Sequence, residues 1–530
     1  MSNSIKVALC QINPILGNFD YNYDKILHNY NEALKENPDL VIFPEMVVTG
    51  YPPQDLLLSK KFIEKNLSTL NRFVKKVSKT CIIGFVNEKN GKLFNSAAIC
   101  ENGEIVHVYN KILLPTYDVF DEDRYFENGT EIGQFNLSVN GESLNCIIQI
   151  CEDLWEDDYN RKLSTEIIDL EPDLIVNISS SPYHKNRKNI RRKLILDKFA
   201  KANCPFIYCN IVGGQDELIF DGNSLILNSD MELIKEGKSF QEDLVVANLN
   251  SPSIDQKEED SNKEIYDALC LGIKDYFEKT GHKKAVIGLS GGIDSTLVAC
   301  LAVDAIGPEN VYLISMPSRF SSEHSKTDAE LLAKNLNTNF KTIDIDGLFE
   351  KYLQVLEPHF KGLETDVTEE NIQSRIRGNI LMGFSNKFGC LVLSTGNKTE
   401  LALGYCTLYG DMSGGLSVIG DLSKTDVYDL AKWKNTVSTD IIPSSCITKT
   451  PSAELAENQV DPFDYDVISP IVDKVIYNES IDNNNSETDE IIKRINQNEY
   501  KRRQTPPILR ITRKAFGIGR RFPIVNHFYE

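Results

Sequence analysis

Six residues, Ser290-Gly291-Gly292-Ile293-Asp294-Ser295, constrain this chain more than any other stretch. They follow an apolar, strand-like run, 285–289, and open a helix-like run, 296–306. A strand that turns through two glycines into a helix leaves backbone N–H groups facing outward at the positive end of the helix dipole, where an anion is favoured. The glycines let the main chain approach phosphate oxygens with no Cβ in the way. A Walker A loop adds a lysine for the β- and γ-phosphates, and here its place is empty. The loop is therefore suited to holding pyrophosphate as a leaving group rather than to passing on a γ-phosphate. No G-x-G-x-x-G can be drawn through Gly288, Gly291 and Gly292, which excludes the dinucleotide fingerprint. A lone glycine pair is usually only a tight turn; the full string between a strand and a helix is a phosphate loop.

Around this loop the order is regular: strands at 285–289, 311–316, 340–345 and 391–395, with helices at 296–306 and 325–337 between them. Alternation of this kind predicts a doubly wound parallel sheet, with ligands at the carboxyl ends of its strands. The polar run 251–263 (SPSIDQKEEDSNK) has no apolar periodicity and reads as a linker. It divides a strand-rich domain, 1–250, from the phosphate-loop domain, 264–530. Strands are predicted upstream at 5–11, 39–43, 81–86, 96–100, 143–150, 174–178 and 206–211, with helices at 24–36 and 191–202. The stretch 478–489 (NESIDNNNSETD) reads as a mobile loop.

The net charge of −20 argues against nucleic acid or an anionic membrane as the main partner. Twelve cysteines are scattered, mostly in apolar runs, without metal spacing. That pattern fits free thiols in a reducing compartment. With no signal-peptide pattern and no run long enough to span a bilayer, the expectation is a cytoplasmic protein.

Three reactive residues of the first domain sit where strands are predicted to end: Glu45 after 40–44, Lys111 after 105–110 and Cys151 after 146–150. Together they would suit attack on an amide carbonyl. A cysteine beside a lysine can be held as thiolate, and the carboxylate can take the thiol proton and return it to departing ammonia. The lysine and the N–H following the cysteine would hold the oxyanion. Taken singly, each has an ordinary reading as a strand-end carboxylate, a solvated cation or a buried thiol, and spacing alone does not bring them together. In the second domain, Thr395 and Glu400 lie in a second strand–loop–helix passage, STGNKTE. Asp294 and Glu400 are candidates to share a magnesium ion that neutralises a triphosphate; the ordinary reading of both is compensation of a helix dipole.

The strings FPEMVVTGYPPQDLL, YNKILLPTYDVFDE and CEDLW, in that order, closely resemble the nitrilase superfamily of carbon–nitrogen hydrolases. The resemblance implies an α/β/β/α sandwich and a Glu45–Lys111–Cys151 trio. PTYDVFDE and NISSSPYH narrow it to a glutaminase branch, which implies that Glu122 supports the trio and that Tyr117, Glu152, Ser181 and Arg187 hold glutamine. SGGIDS resembles the loop of the N-type ATP pyrophosphatases. With MPSRFSSEHS, STGNKTELALGY and KTPSAEL it resembles NAD synthetase, and the fusion resembles the glutamine-dependent NAD synthetase family. That resemblance implies a ligase that adenylates deamido-NAD with ATP and then admits ammonia from glutamine. Gly288, Leu289, Ser290, Gly291, Gly292, Ile293, Asp294, Ser295 and Thr395 would contact ATP; Asn371, Glu400 and Lys501 would contact deamido-NAD. No prosthetic group is implied, and a homodimer or larger assembly is. The segment 461–475 departs from the family's usual text. Two other readings stay open at this point: a glutamine-fed ATP pyrophosphatase with a different acceptor, and a catalytically silent nucleotide-binding scaffold.

Overall fold

A computed structural model of the protein describes residues 5–256, 259–480 and 486–526. The chain divides into two compact units, Met1–Glu259 and Asp260–Glu530. The first unit is built from fourteen strands: β1 (Lys6–Gln11), β2 (Leu40–Ile42), β3 (Cys81–Lys89), β4 (Lys92–Glu101), β5 (Glu104–Asn110), β6 (Gly133–Val139) and β7 (Glu142–Ile150). They continue with β8 (Leu174–Ser179), β9 (Phe206–Asn210), β10 (Val212–Gln215), β11 (Leu218–Asp221), β12 (Leu225–Leu227), β13 (Leu233–Glu236) and β14 (Asp243–Asn248). Its longer helices are α1 (Phe19–Lys35), α2 (Lys60–Val74), α3 (Leu163–Ile168) and α4 (Arg187–Phe199). Two six-stranded sheets form, ordered β14-β1-β2-β3-β4-β5 and β13-β12-β9-β8-β7-β6. Each is parallel at its centre and antiparallel at its edges.

The period-2 alternation of these strands explains the layers. Val7, Leu9, Leu40 and Ile42 point into one core together with Ile148, Val176 and Ile207 of the other sheet. Their neighbours Ala8, Cys10, Val41 and Phe43 point the other way, onto Tyr23, Ile26, Ile63, Leu70 and Phe73 of α1 and α2. Strands covered on both faces need continuous apolar runs, which is how they read in the sequence. The result is the expected α/β/β/α sandwich. Beyond the expected strands, the unit carries the antiparallel partners β6 and β10–β14, short or half-polar strands whose pairing is set by tertiary contacts.

The second unit holds a five-stranded sheet of β15 (Lys284–Gly288), β16 (Val311–Ser315), β17 (Asn339–Thr342), β18 (Cys390–Ser394) and β19 (Leu416–Ser417). Its order is β17-β16-β15-β18-β19 and every pairing is parallel. This is a doubly wound sheet whose strand order reverses between β15 and β18, so the crevice for ligands opens at the carboxyl ends of those two strands. The helices are α5 (Ser261–Thr280), α6 (Ile293–Ile306), α7 (Glu323–Asn335), α8 (Asp346–Phe360) and α9 (Val367–Phe388), then α10 (Lys398–Leu403) and α11 (Lys424–Val437). Short α12 (Ser444–Thr448), α13 (Tyr465–Tyr477), α14 (Ser486–Gln497) and α15 (Glu499–Arg502) complete the unit.

Local differences from the sequence reading have physical causes. Helix α6 starts three residues earlier than expected because Gly292 is its N-cap, with Thr296 N–H donating to Gly292 O at 3.1 Å; Asp294 therefore stands in the first helical turn. The run 340–345 leaves the sheet after Thr342, and Ile343 and Ile345 donate instead to Ser315 and Pro317 carbonyls. The last residues of the expected linker, 261–263, are helical, since Asp260 caps α5 through Asn262 N–H. Of the expected loop 478–489, residues 481–485 lie outside the described set, while α14 already begins at Ser486. The divergent 461–475 segment folds largely as α13. All twelve cysteines are unpaired, ten of them buried. Among the described residues no helix is long and apolar enough to cross a membrane.

Candidate active sites

In the first unit, strand ends deliver the trio to one place. Glu45 leaves β2 in a tight turn that nests against β3 at Gly84, where a Cβ would lie 2.4 Å from Pro44 O and from Met46 N. Lys111 follows β5 and Cys151 follows β7. The Lys111 ammonium bonds to Glu45 Oε1 at 2.9 Å and to Glu122 Oε1 and Oε2 at 3.0 and 2.9 Å. All three side chains are buried. Asn95 Nδ2 donates to Glu45 Oε1 at 2.7 Å and to Glu122 Oε2 at 3.3 Å, Tyr51 OH to Glu122 Oε1 at 2.8 Å and Ser180 N–H to Glu45 Oε2 at 2.6 Å. Burial works against the Lys111 charge, but Glu122 and Glu45 outweigh it and hold the ammonium well above its ordinary pKa.

Cys151 stands at φ +41, a left-handed conformation that costs a non-glycine residue on the order of 1–3 kcal/mol and marks an over-determined turn. Around its thiol the lysine and the carboxylates act in opposite senses. Burial and the Glu45 charge push its pKa well above the ordinary value, and Lys111, opposing them, does not prevail. Burial is the larger cause, and the one ammonium that opposes it also serves two carboxylates. The cluster thus presents a neutral thiol beside a carboxylate base.

The residues assigned to glutamine surround this cluster. Glu152 is buried, with Tyr117 OH at 3.0 and 3.2 Å from its two carboxylate oxygens and Tyr159 OH at 3.1 Å from Oε1. Burial raises its pKa to about 7. Ser181 is fixed by Asn210, whose Oδ1 accepts from its N–H at 2.9 Å, while its Oγ accepts from Arg187 at 3.4 Å and Arg191 at 3.3 Å. The two arginines differ. Arg191 is spent in a bidentate pair with Asp221, both contacts 2.7 Å. Arg187 lies 3.8 Å over the Trp155 ring, its Nε has no hydrogen-bond partner among the described residues, and burial lowers its pKa to about 10. A guanidinium left short of an anion in this way is ready to accept a carboxylate.

In the second unit, the glycine-rich loop 290–295 follows β15. Gly291 has φ +80 and a Cβ there would meet Ser325 O at 2.3 Å, so glycine is required. Ser290 Oγ accepts from Gly292 N–H at 3.2 Å, and Ser295 Oγ donates to Gly292 O at 3.1 Å. The loop is therefore pre-shaped. Ile293 and Ser295 are buried, so their side chains stabilise the loop from beneath. Gly288, Leu289, Ser290 and Thr395 line a cavity of about 250 Å³ with Arg377, Asp411 and Glu454. Asp294 and Glu400 do come together across the switch point, but on a residue the sequence reading missed. Lys424 Nζ, at the start of α11, lies 2.5 Å from Asp294 Oδ2 and 3.2 Å from Glu400 Oε1. Asn397 caps α10 through Glu400 N–H at 3.0 Å and donates to Asp294 Oδ1 at 2.8 Å. Burial raises Glu400 to about 7 against the pull of Lys424. Among the described residues no group of three or more His, Cys, Asp or Glu side chains is placed to hold a metal. Two carboxylates converging on a cation nonetheless make a donor pair that fits magnesium once phosphate oxygens join them.

Asn371 and Lys501 both reach the turn after α10. Asn371 Oδ1 accepts from Thr407 Oγ1 at 2.7 Å, and Lys501 Nζ donates to Gly404 O at 2.8 Å and Cys406 O at 2.9 Å. Lys501 is thus not a solvated helix end. In 461–475, Tyr465 stacks its ring 5.3 Å from Lys424 Nζ and donates to Asp461 at 2.8 Å. Lys424, Asn95 and Tyr159 were missed because no quoted motif contains them, and Trp155, although the last residue of CEDLW, was given no role; they reach the sites from elements remote in sequence or from a turn farther along the chain. The serine cap Ser423 before Lys424, bonded to Asp426 N–H at 3.1 Å, was the one local signal.

The carbon–nitrogen hydrolase family matches residues 6–258 and the NAD synthase family residues 265–505. The glutamine-dependent NAD(+) synthetase of Synechocystis sp. is 43% identical over 556 residues, covering 99% of this chain and 99% of that protein. The protein of the same name from Thermotoga maritima is 38% identical, again with 99% of both covered. A solved structure, that of glutamine-dependent NAD+ synthetase from Acinetobacter baumannii in complex with adenosine diphosphate, superposes with a TM-score of 0.81 at 38% identity, covering 99% of each chain. With each family match falling on one of the two units and relatives aligned from end to end, the chain belongs to the glutamine-dependent NAD(+) synthetases.

Proposed function

We propose that the first unit frees ammonia from glutamine at Cys151 and that the second uses it to amidate deamido-NAD adenylated by ATP. The observation that carries the first half is the buried Glu45–Lys111–Glu122 cluster facing a thiol at a strained turn. Glu45 takes the Cys151 proton as sulfur attacks the side-chain carbonyl carbon of glutamine. Lys111 and the Glu152 N–H stabilise the oxyanion that forms. Glu45 returns the proton to nitrogen as the C–N bond breaks and ammonia leaves. Water, deprotonated by Glu45, then cleaves the thioester to glutamate. Glu122 keeps Lys111 charged and in place. Arg187 and Ser181 take the α-carboxylate of glutamine, and Glu152 its α-ammonium.

In the second unit, residues 288–295 and Thr395 receive ATP, with Lys424 beside the loop supplying positive charge to the phosphates. Asp294 and Glu400 would hold magnesium, whose chemistry is neutralisation of the triphosphate charge. Asn371 and Lys501 shape the 404–407 turn on the deamido-NAD side. Attack of the nicotinate carboxylate oxygen on the α-phosphorus releases pyrophosphate, and attack of ammonia on the adenylated carbon releases AMP. Two features support the wider reading. The row Leu348, Tyr352 and Val355 on α8, each about half exposed, suits burial against a second copy of the chain. Twelve unpaired thiols suit a reducing, cytoplasmic setting.

The test is stoichiometry with two nitrogen sources. Wild type should form NAD, AMP and glutamate in equal amounts from ATP, glutamine and deamido-NAD. Cys151→Ala should lose the glutamine-driven reaction and keep synthesis from concentrated ammonium salt. Glutamine-driven synthesis surviving in that variant would remove Cys151 from the mechanism.

A further inference from the structure

Asp153 stands two residues after the nucleophile, is buried, and makes four hydrogen bonds to the walls of the site. Its Oδ1 accepts from Ile112 N–H at 3.0 Å and Leu113 N–H at 2.9 Å, the two peptide groups that follow Lys111. Its Oδ2 accepts from Ile150 N–H at 2.9 Å, the peptide before Cys151, and from Tyr109 OH at 2.7 Å on β5. Both oxygens are fully used, and every donor flanks one of the two catalytic side chains. We infer that Asp153 is the positioning residue that locks the Cys151 turn to the Lys111 strand end, an assignment that rests on Cys151 being the nucleophile.

The physical case has three parts. First, Cys151 holds a left-handed φ of +41 that a non-glycine residue leaves unless its surroundings compel it. The Ile150 N–H bond closes the turn over that residue. Second, Lys111 and Cys151 come from different strands, β5 and β7, that are not hydrogen-bonded neighbours. Asp153 supplies a direct polar link between their ends. Third, a buried carboxylate is costly unless its lone pairs find donors, and here bonds from three peptide N–H groups and one hydroxyl offset part of that cost, although burial still leaves the carboxyl above its ordinary pKa. All four bonds of the Asp153 carboxylate go to protein donors, so it acts through the placement of its neighbours.

Asp153→Asn keeps the shape but turns an NH2 toward donors that need an acceptor, loosening one side of the lock. The experiment measures glutamine hydrolysis, ammonia-driven NAD synthesis and the pH profile of Cys151 alkylation by iodoacetamide, all on the full chain well below its unfolding temperature. Expected is a fall in glutaminase kcat of roughly a hundredfold, the scale of a ~1 Å misplacement of a reacting group. Ammonia-driven synthesis should be unchanged. The alkylation profile should move to lower pH as the thiol escapes burial and Glu45. A kcat within about twofold of wild type with an unmoved profile overturns the assignment, since loss of mere packing would lower only the unfolding temperature. If D153N does not fold, Tyr109→Phe, which removes one of the four donors, decides by the same readouts. Cys151→Ala run alongside separates the two failures: glutamine-driven synthesis persisting there sinks the nucleophile itself, whereas its loss there with D153N unimpaired sinks only the lock.

Discussion

Glu152 shows how one residue's environment becomes a measurable pH dependence. Burial raises its pKa to about 7, although Tyr117, Tyr159 and Lys111 favour its ionised form. In the free protein near neutrality it is therefore a mixture of acid and carboxylate. Only the carboxylate can meet the α-ammonium of glutamine, so kcat/KM for glutamine should fall as pH drops through about 7, while synthesis from ammonium salt does not follow that curve. Glu152→Gln should raise KM for glutamine and abolish this limb of the profile. A flat kcat/KM across that range, or the same limb in the variant, would take Glu152 out of glutamine binding. The shift has a stability counterpart of definite sign. The unfolded carboxyl ionises near ~4.3, so between there and about pH 7 the folded state retains a proton that the unfolded state has released. Glu152 therefore favours the unliganded fold at low pH, and that contribution is lost as pH rises.

Elements, rather than single residues, decide where the second site forms. Asn397 caps α10 with its oxygen and holds Asp294 with its amide, so one side chain joins the turn after β18 to the loop after β15. Asn397→Ala should cost ~1 kcal/mol as a lost cap and lower synthesis with either nitrogen source. Asp294→Ala should lower it further, by several kcal/mol of transition-state stabilisation if the metal role holds. Measuring NAD formation from ammonium salt decides this, and a near-wild-type rate in D294A would refute the role. The element scale also explains what was legible beforehand. Strands β1, β3, β7 and β8 were readable because both faces are buried and their runs are continuously apolar. The phosphate loop and the strand ends bearing Glu45, Lys111 and Cys151 were readable because strand termini are local features. Lys424 was not, since it meets Asp294 from 130 residues away, and nothing in a sequence window states that two helix starts face each other across a sheet. Nor was the upward push on the Cys151 thiol, which comes first from burial and then from Glu45.

At the scale of the whole chain, the question is why a glutaminase and a synthetase are joined. Free ammonia near neutral pH is mostly ammonium, which is not a nucleophile, and it dilutes as soon as it escapes. A glutaminase that runs while the synthetase is empty only consumes glutamine. We expect glutamine hydrolysis to accelerate when ATP and deamido-NAD fill the second unit, with a coupling of about 1–3 kcal/mol if it acts through binding. The segment 115–126 of the first unit is suited to receive such a signal. Tyr117 is 50% exposed at one end yet bonds to Glu152, and Glu122, buried at the other, bonds to Lys111 and Tyr51. A shift of this loop would reach the proposed glutamine contacts and the Lys111 ammonium together without disturbing the sheets. The measurement is glutamate release at saturating glutamine with and without both synthetase substrates, run beside isotopically labelled ammonium in the bulk. Faster release with the substrates present, and little label in NAD, is the expected outcome. Equal rates with free uptake of the label would mean that the two units work independently and share only a peptide chain.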